Sequence, residues 1–260
     1  MPNPLHDLLQ QAEKNDADSQ YELAEMYRTG TGVPENMGEA LRWYRAAAEL
    51  GLADAQNNLG AMLLSGFGSE KNPGEAVYWY QKAAKQSQVH AQFNLGMLYL
   101  LGNGVEQNDE QAAYWLYAAA EQGDLEAICQ LGNLYLQGRG VEKNSVAAAE
   151  LHTTAAIEGH LDALDKLGEY QEEIEEAALS GSILASLCVA KKYEYGLGTE
   201  PDTAKVYAWT QWARLHGTHD DHDEELEEFE SYVATITTEE DIARGKKTLN
   251  ELRGRADEMV

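Results

Sequence analysis

Two glycines separated by one residue recur along this chain, and in some enzymes such glycines cradle a phosphate group. One occurrence is YLLGNGVEQN at residues 99–108, where Gly102 and Gly104 precede an acid and an amide. A dinucleotide-binding loop needs a third glycine, a strand before it and a helix after it. Here the preceding residues, AQFNLGMLYL, have apolar side chains at helical spacing, so no strand leads into the loop. We therefore expect no phosphate site and no cofactor at these glycines.

A histidine-rich stretch is the second candidate for chemistry. HGTHDDHDEE spaces His216, His219 and His222 three residues apart among aspartates, and on a helix this spacing could supply ligands for zinc or nickel. The stretch begins where a repeat ends, which predicts a turn, and neither an HExxH motif nor a nearby cysteine supports a metal site. A solvated acidic segment is therefore favoured over opportunistic metal binding.

Catalytic groups are not apparent in the rest of the sequence. The acids of EYQEEIEE, residues 169–176, are consecutive on a short helix and are expected to lie in water. Acid–base catalysis requires instead two carboxyl groups in different environments of one cleft. No Ser-His-Asp or Cys-His arrangement stands out, so the sequence predicts no catalytic residue, no metal and no cofactor.

The glycine loops belong to an internal repeat of 36 residues. A leucine followed by a small residue marks its register, and the loop glycines, the loop amides, Trp43, Trp79 and Trp115 keep the same spacing. In the fifth copy the interval from this pair to the next alanine pair falls from 22 residues (97–118) to 8 (169–176), so 14 are missing. The register resumes at Leu184. The marker pairs are Leu23-Ala24, Leu59-Gly60, Leu95-Gly96, Leu131-Gly132 and Leu167-Gly168.

Each full copy predicts two antiparallel helices, here called helix A and helix B. Helix A, for example residues 91–101, ends at Gly102, which can adopt the left-handed conformation of a helix cap. Asn108 is placed to cap helix B, residues 110–122, with acids in the first turn. The tryptophans lie on helix B beside an alanine stripe, which favours core packing over stacking with bases.

These residues resemble the Sel-one-like repeat (SLR), a relative of the tetratricopeptide repeat. The shared pattern is A-x-x-x-L-G-x-x-Y-x-x-G-x-G-V, an amide or Asp, A-x-x-W and A-A-x-x-G. The resemblance implies an all-α fold, a right-handed α-solenoid used mostly for protein–protein binding. The domain organisation expected from it is an N-terminal capping helix at 1–17, an SLR solenoid at 18–217 with four full copies, a degenerate copy at 162–183 and a further copy at 184–217, and C-terminal capping helices at 218–260.

Charge constrains the choice of partner. The chain carries 19 Lys and Arg against 45 Asp and Glu, a net charge of −26. Such a field repels nucleic acid and anionic membranes and attracts a basic protein or peptide. The N-terminus lacks the features of a signal peptide, and no run of about 20 apolar residues predicts a membrane span. Cys129 and Cys188 are far apart and read as free thiols in a reducing compartment, so a cytoplasmic location is expected.

The exposed side of helix A is the candidate partner-binding groove, because in related superhelices it lines the concave surface. Arg28 is the only lysine or arginine in the A helices of copies one to four, which disfavours an acidic tail as the ligand. The alternative is that the asparagines are structural and bond loop carbonyls between repeats. The candidate groove residues are Tyr21, Glu22, Glu25, Asn57, Asn58, Phe93, Asn94, Met97, Gln130 and Asn133.

The function predicted from these observations is a non-enzymatic scaffold or adaptor that binds a basic protein or peptide. The chain is expected to bind neither nucleic acid nor membranes, and a monomer is favoured. Two alternatives stay open. One is a bacterial immunity or antitoxin protein that neutralises a cationic toxin, since opposite charges speed association. The other is a hydrolase, although the sequence contains no recognisable set of catalytic residues for it.

Overall fold

The fold is all-α. A computed structural model describes residues 4–218 and 222–259, and within these ranges it contains 15 helices and no strand. The chain forms two compact units, the first ending at Ala127 and the second beginning at Ile128. None of the helices in the described ranges is both long and apolar enough to cross a membrane. The predicted fold class, helix pairs of an α-solenoid, is confirmed.

The first unit contains the helix pairs of copies one to three. Helices α2, α4 and α6 are A helices, α3, α5 and α7 are B helices, and α1 packs on α2. The last helix, α8, crosses the boundary between the units. The bounds are α1 (Pro4–Ala12), α2 (Ala17–Thr29), α3 (Met37–Glu49), α4 (Ala53–Ser65), α5 (Pro73–Ala84), α6 (Val89–Leu101), α7 (Asp109–Ala120) and α8 (Leu125–Gln137).

The second unit contains helix B of copy four (α9), the degenerate copy, the further copy and two helices beyond the repeats. Helices α12 and α13 pair as A and B, and α13 also packs against α14 and α15. The bounds are α9 (Ser145–Ile157), α10 (Leu161–Glu169), α11 (Gln171–Leu179), α12 (Ile183–Tyr195), α13 (Thr203–His216), α14 (Asp223–Ile236) and α15 (Glu239–Glu258).

The glycine loops join helix A to helix B, as predicted. Gly102 has φ 67° and its N–H donates to the carbonyl of Leu98, which closes helix α6 with a left-handed cap. Asn108 accepts a hydrogen bond from the N–H of Gln111 and so caps α7. Its own N–H donates to the carbonyl of Tyr99 at 3.0 Å, which fixes the start of helix B beside the end of helix A. The loop is therefore a helix-to-helix turn.

The glycine of the marker pair in copies two to four makes room for a side chain of helix B. A Cβ atom added at Gly96 would lie 2.8 Å from Cγ of Leu116, and one added at Gly132 would lie 2.7 Å from Nε2 of His152. The leucine of the pair is buried in the core of the first unit, as at Leu95. The small residue of the marker pair thus indicates a close contact between helices A and B in copies two to four.

Buried glutamines tie each A helix of the first unit to the helix before it. Nε2 of Gln56 and of Gln92 donates to the carbonyl eight residues earlier, at 3.0 and 3.4 Å. Their Oε1 atoms accept hydrogen bonds from Gln86 and Gln122, at 2.9 and 2.6 Å. Both groups of these buried amides are therefore satisfied, as buried polar groups require.

Gln20 departs from this arrangement. Its Nε2 donates to the carbonyl of Ala12 at 2.9 Å, but its Oε1 is buried and accepts no hydrogen bond from any described residue. The corresponding donor is Gln86 in copy two and Gln122 in copy three. Copy one has Leu50 at this repeat position, and the leucine is 50% exposed. Copy one therefore buries an acceptor for which its neighbours supply a donor.

Replacing Leu50 by glutamine is expected to stabilise the protein. The new amide can donate to Oε1 of Gln20, as Gln86 does to Gln56, and a satisfied buried acceptor is worth about 1 kcal/mol. Chemical denaturation of Leu50→Gln should show a higher midpoint than the parent chain. The matched control is Leu50→Gln combined with Gln20→Leu, which removes the acceptor. If Leu50→Gln raises the midpoint equally in both backgrounds, the gain has another origin.

The degenerate copy consists of two short helices without a glycine loop. Helices α10 and α11 have nine residues each and meet at Tyr170. Because they are short, α9 packs directly against α12 as well as against α10. A cavity of about 70 Å³ remains beside them. Its lining includes Leu164, Leu167, Gly168, Ile174, Cys188 and Lys192.

Candidate functional site

In the first unit, Glu25 on α2 is held by two neighbouring side chains. Arg28 pairs with Glu25, with Nη2 and Oε2 2.6 Å apart, and the Tyr44 hydroxyl donates to Oε1 of the same carboxylate. Burial opposes ionisation of Glu25, but hydrogen bonds from Arg28 and Tyr44 outweigh it and lower the pKa of this carboxyl group. Glu25 is therefore ionised, and its charge is largely compensated by Arg28.

The network continues across three A helices. Nδ2 of Asn58 donates to Oε1 of Glu25 at 3.2 Å and to the Tyr21 hydroxyl at 3.3 Å. Asn57 donates to Oδ1 of Asn58 at 3.2 Å, and Asn94 donates to Oδ1 of Asn57 at 3.3 Å. Side chains of α2, α4 and α6 are thus joined in one chain of hydrogen bonds. We call Tyr21, Glu25, Asn57, Asn58 and Asn94 the polar ladder.

The polar ladder comprises five of the ten candidate groove residues. Its asparagines bond side chains on neighbouring A helices, and among the described residues they make no hydrogen bond to a loop carbonyl. Of the remaining candidates in the first unit, Glu22 is exposed, and Phe93 and Met97 are half-buried. Gln130 and Asn133 lie on the part of α8 that belongs to the second unit, where both are half-buried.

One histidine, His152, and both cysteines of the second unit are built into its core. His152 is fully buried between the carbonyl of Cys129 and the hydroxyl of Tyr170, and burial lowers its pKa. The thiol of Cys188 is also buried, and burial raises its pKa to about 12, so it is a poor nucleophile at neutral pH. These groups therefore serve packing.

The histidine-rich stretch is only partly visible. His216 stacks on Trp212, with ring centroids 4.0 Å apart, whereas His219 and the two aspartates after it lie outside the described residues. Across 4–218 and 222–259, no three His, Cys, Asp or Glu side chains are grouped as metal ligands.

In the acidic stretch 169–176, Glu175 is paired with Arg255 at 3.0 Å, and Glu172 is exposed.

The sequence matches one protein-family model along most of its length. The model of the Sel1 repeat matches residues 17–52, 53–88, 89–124, 125–160 and 187–211. This chain belongs to the Sel1 repeat family. The unmatched gap between the last two segments is the degenerate copy, where α10 and α11 lack the loop glycines of the repeat. Sel1 repeat proteins are generally scaffolds for protein–protein interaction.

Solved structures show the same fold. A Sel1 repeat protein from Oxalobacter formigenes is 32% identical, over 77% of this chain and 88% of that one, with a TM-score of 0.56. The protein c5321, a protective antigen of uropathogenic Escherichia coli with an SLR fold, is 25% identical over 99% of this chain, with a TM-score of 0.63. This chain spans 65% of the c5321 chain.

Two further comparisons add nothing about function. The immunity protein Pa5087 of Pseudomonas aeruginosa is 21% identical over 81% of this chain and 72% of that one, with a TM-score of 0.41. At that score the likeness supports no argument about what this Sel1 repeat protein binds. Among curated protein sequences, none matches this chain.

Proposed function

We propose that this Sel1 repeat protein is a non-enzymatic scaffold whose A-helix face in the first unit binds a basic protein or peptide. The observation that carries the proposal is the polar ladder, a polar surface continuous over three A helices. The one arginine on these helices, Arg28, is already paired with Glu25, and Glu22 beside it is exposed. With a net charge of −26, this surface favours a cationic partner.

The ladder leaves hydrogen-bonding groups for such a partner. One N–H of Asn94 is used within the ladder, and its Oδ1 accepts no hydrogen bond from the described residues. An amide side chain has two N–H donors and one carbonyl acceptor, so Asn94 can still bond a backbone that lies along it. Phe93 and Met97, half-buried on the same helix, offer apolar contacts. An extended segment of the partner suits this combination of groups.

The proposal extends to the setting of the protein. Cys129 and Cys188 are buried thiols, which suits a reducing compartment such as the cytoplasm. The partner is a protein rather than nucleic acid or an anionic membrane, because the acidic surface repels phosphate groups.

A more specific form of the proposal is an immunity protein that neutralises a cationic toxin. The net charge of −26 favours it, since an acidic inhibitor associates rapidly with a basic toxin. A neighbouring reading frame that encodes a basic toxin, together with protection of cells by this chain, would support it. Failure of the chain to protect against that toxin would contradict it.

Binding of basic peptides should depend on charge at Glu22. Against a set of extended Lys- and Arg-rich peptides, Glu22→Lys should weaken the tightest complex by about tenfold, because it replaces an attraction by a repulsion of similar size. Raising the ionic strength from about 20 mM to about 500 mM should weaken the parent complex as well, since the Debye length shortens severalfold. Affinities are measured by fluorescence anisotropy.

The matched control is Glu121→Lys, the same change at an exposed acid at the end of helix α7. It should leave the affinity nearly unchanged. Asn94→Ala combined with Phe93→Ala should weaken binding through lost contacts. Glu25 is not used, because its replacement would break the pair with Arg28 and perturb the fold. Equal affinities for the parent chain and the Glu22 and Asn94 variants, at both ionic strengths, would contradict the proposal.

A further inference from the structure

An open pocket of about 370 Å³ lies between α12 and α14 in the second unit. Aromatic rings and carboxylates together line it. Tyr195 and Tyr232 are 52% and 43% exposed, so large parts of both rings remain available to a ligand. The aromatic lining residues are Tyr195, Phe229 and Tyr232, and the acidic ones are Glu194, Glu225 and Glu228.

The charge of the pocket is negative even after its own ion pair is formed. Lys191 also lines the pocket, but its Nζ pairs with Oε1 of Glu225 at 2.8 Å. This pair compensates one carboxylate, so Glu194 and Glu228 remain as two acids without an ion pair among the described residues. A cation entering the pocket would therefore gain two uncompensated carboxylates within an aromatic lining.

One carboxylate oxygen of Glu194 lacks a hydrogen-bond donor. Its Oε2 is buried and accepts no hydrogen bond from the described residues. A buried carboxylate oxygen without a donor raises the free energy of the folded protein. A hydrogen bond from a cationic N–H group lowers it more than one from a neutral donor. The hydroxyl groups of Tyr232 and Tyr195 already hydrogen-bond to this carboxylate, so only Oε2 lacks a donor, and the bond from Tyr232 raises the pKa of Tyr232. The acid and the aromatic ring therefore adjoin each other in one site.

The α12 wall of the pocket lies on the face of helix A that we propose as the binding face in the first unit. When the register is counted from Leu184, Lys191 occupies the repeat position of Met97, and Tyr195 that of Leu101. The other wall comes from α14, a helix beyond the repeats. The further copy thus combines the candidate partner-binding face with a wall that no earlier copy has.

We propose that this pocket binds the guanidinium group of an arginine side chain on the basic partner. The inference deepens the proposed function and rests on it for the identity of the partner, but not for the chemistry of the pocket. A guanidinium group is planar, stacks on aromatic rings and donates several N–H groups to carboxylates. The three rings, the two uncompensated acids and the unsatisfied oxygen of Glu194 match these three properties.

Titration of the ¹⁵N-labelled full chain with N-acetyl-arginine amide tests the proposal by NMR. Saturable shifts are expected at the amides of Glu194, Tyr195, Phe229 and Tyr232. N-acetyl-citrulline amide has nearly the same shape without the charge and should produce much smaller shifts. Shifts that are equal for both compounds, absent, or spread over many exposed acids would overturn the proposal.

Single substitutions separate the contributions of the acid and the ring. Glu194→Gln should weaken binding of the arginine amide by about 5- to 10-fold, as expected for loss of a charged acceptor. Tyr232→Ala should weaken it by about 2- to 5-fold, through loss of a cation–π contact. Glu240→Gln removes an exposed acid on α15 and should have no effect. Circular dichroism checks that each variant is folded, and unchanged binding in folded Glu194→Gln and Tyr232→Ala would count against the site.

Failure of the pocket proposal can be distinguished from failure of the proposed function. If basic peptides respond to Glu22→Lys but the arginine amide does not bind between α12 and α14, the pocket is ruled out and the scaffold proposal stands. If the arginine amide binds there while no basic peptide responds to changes on α2 and α6, the pocket stands and the first-unit surface is ruled out.

Discussion

Replacing Trp212 by alanine is expected to lower the free energy of unfolding by about 3–5 kcal/mol, the range for a fully buried tryptophan. Trp212 is 2% exposed, and its Nε1 donates to the carbonyl of Ala178 on α11 at 2.9 Å. Its ring also stacks on His216. The substitution therefore removes a large apolar surface and one hydrogen bond to the Ala178 carbonyl, which still accepts from the N–H of Gly181. The midpoint of chemical denaturation, followed by tryptophan-independent circular dichroism, measures the loss.

Two variants show which part of the loss comes from the contact with the degenerate copy. Trp212→Phe keeps most of the ring but not the hydrogen bond, and should fall between the parent chain and Trp212→Ala. Lys82 occupies the same repeat position in copy two and is exposed, so Lys82→Ala should change stability by less than about 0.5 kcal/mol. A loss below about 1 kcal/mol for Trp212→Ala would show that the ring is not part of the core.

Replacing glycine by alanine is expected to have opposite effects on stability at Gly132 and Gly168, which occupy the same position of the marker pair in two copies. Gly132→Ala should destabilise the second unit by about 1–3 kcal/mol, because the new Cβ overpacks a filled site. The clash is with the ring of His152, which is fully buried and bonded on both sides, so it has no room to move. A denaturation midpoint below that of the parent chain is the expected measurement.

Gly168 occupies the equivalent position in the degenerate copy. No atom lies within 4 Å of a Cβ atom added there, because the residue lines the cavity beside α10 and α11. Gly168→Ala should therefore stabilise the protein by about 0.5–1 kcal/mol, since alanine is the better helix former and meets no neighbour. If the two substitutions shifted the midpoint in the same direction, the contact between helices A and B would not explain the small residue of the repeat.

The repeat fold could be predicted from sequence because its signals are local. Gly102 and Asn108 determine a helix end and a helix start through backbone geometry and capping that involve only a few neighbouring residues. The same signals recur every 36 residues, so each copy supports the interpretation of the others. The fifth copy lacks those signals, and there α10 and α11 are short helices without a glycine loop.

The features missed from sequence depend on contacts between distant residues. The repeat position of Trp212 holds Ala46, Lys82 and Ala118 elsewhere, so the period gave no reason to expect a buried ring. Its ring is bonded to α11, the second helix of the degenerate copy, and no other copy has so short a second helix. The pocket between α12 and α14 was missed for a similar reason, because α14 lies outside the repeat and its packing has no periodic signal.

The polar ladder illustrates an intermediate case. The period placed Asn57, Asn58 and Asn94 on one face of helix A, and the structure brings them together there. The sequence could not show that Asn58 donates to Glu25, since that depends on the side-chain conformations of residues 33 positions apart. For the same reason the sequence could not show that Glu25, a candidate groove residue, already pairs with Arg28 and accepts a hydrogen bond from Tyr44.

The polar ladder also has an entropic consequence. A side chain that is ordered only on binding loses about 0.5–1.5 kcal/mol of rotamer freedom at that moment. Asn57, Asn58, Asn94 and Glu25 are held by one another before any ligand arrives, so this loss has already occurred during folding. A partner that bonds the outer groups of the ladder therefore meets a preorganised surface. The hydrogen bonds that join α2, α4 and α6 thereby favour tighter binding without adding a single contact to the complex.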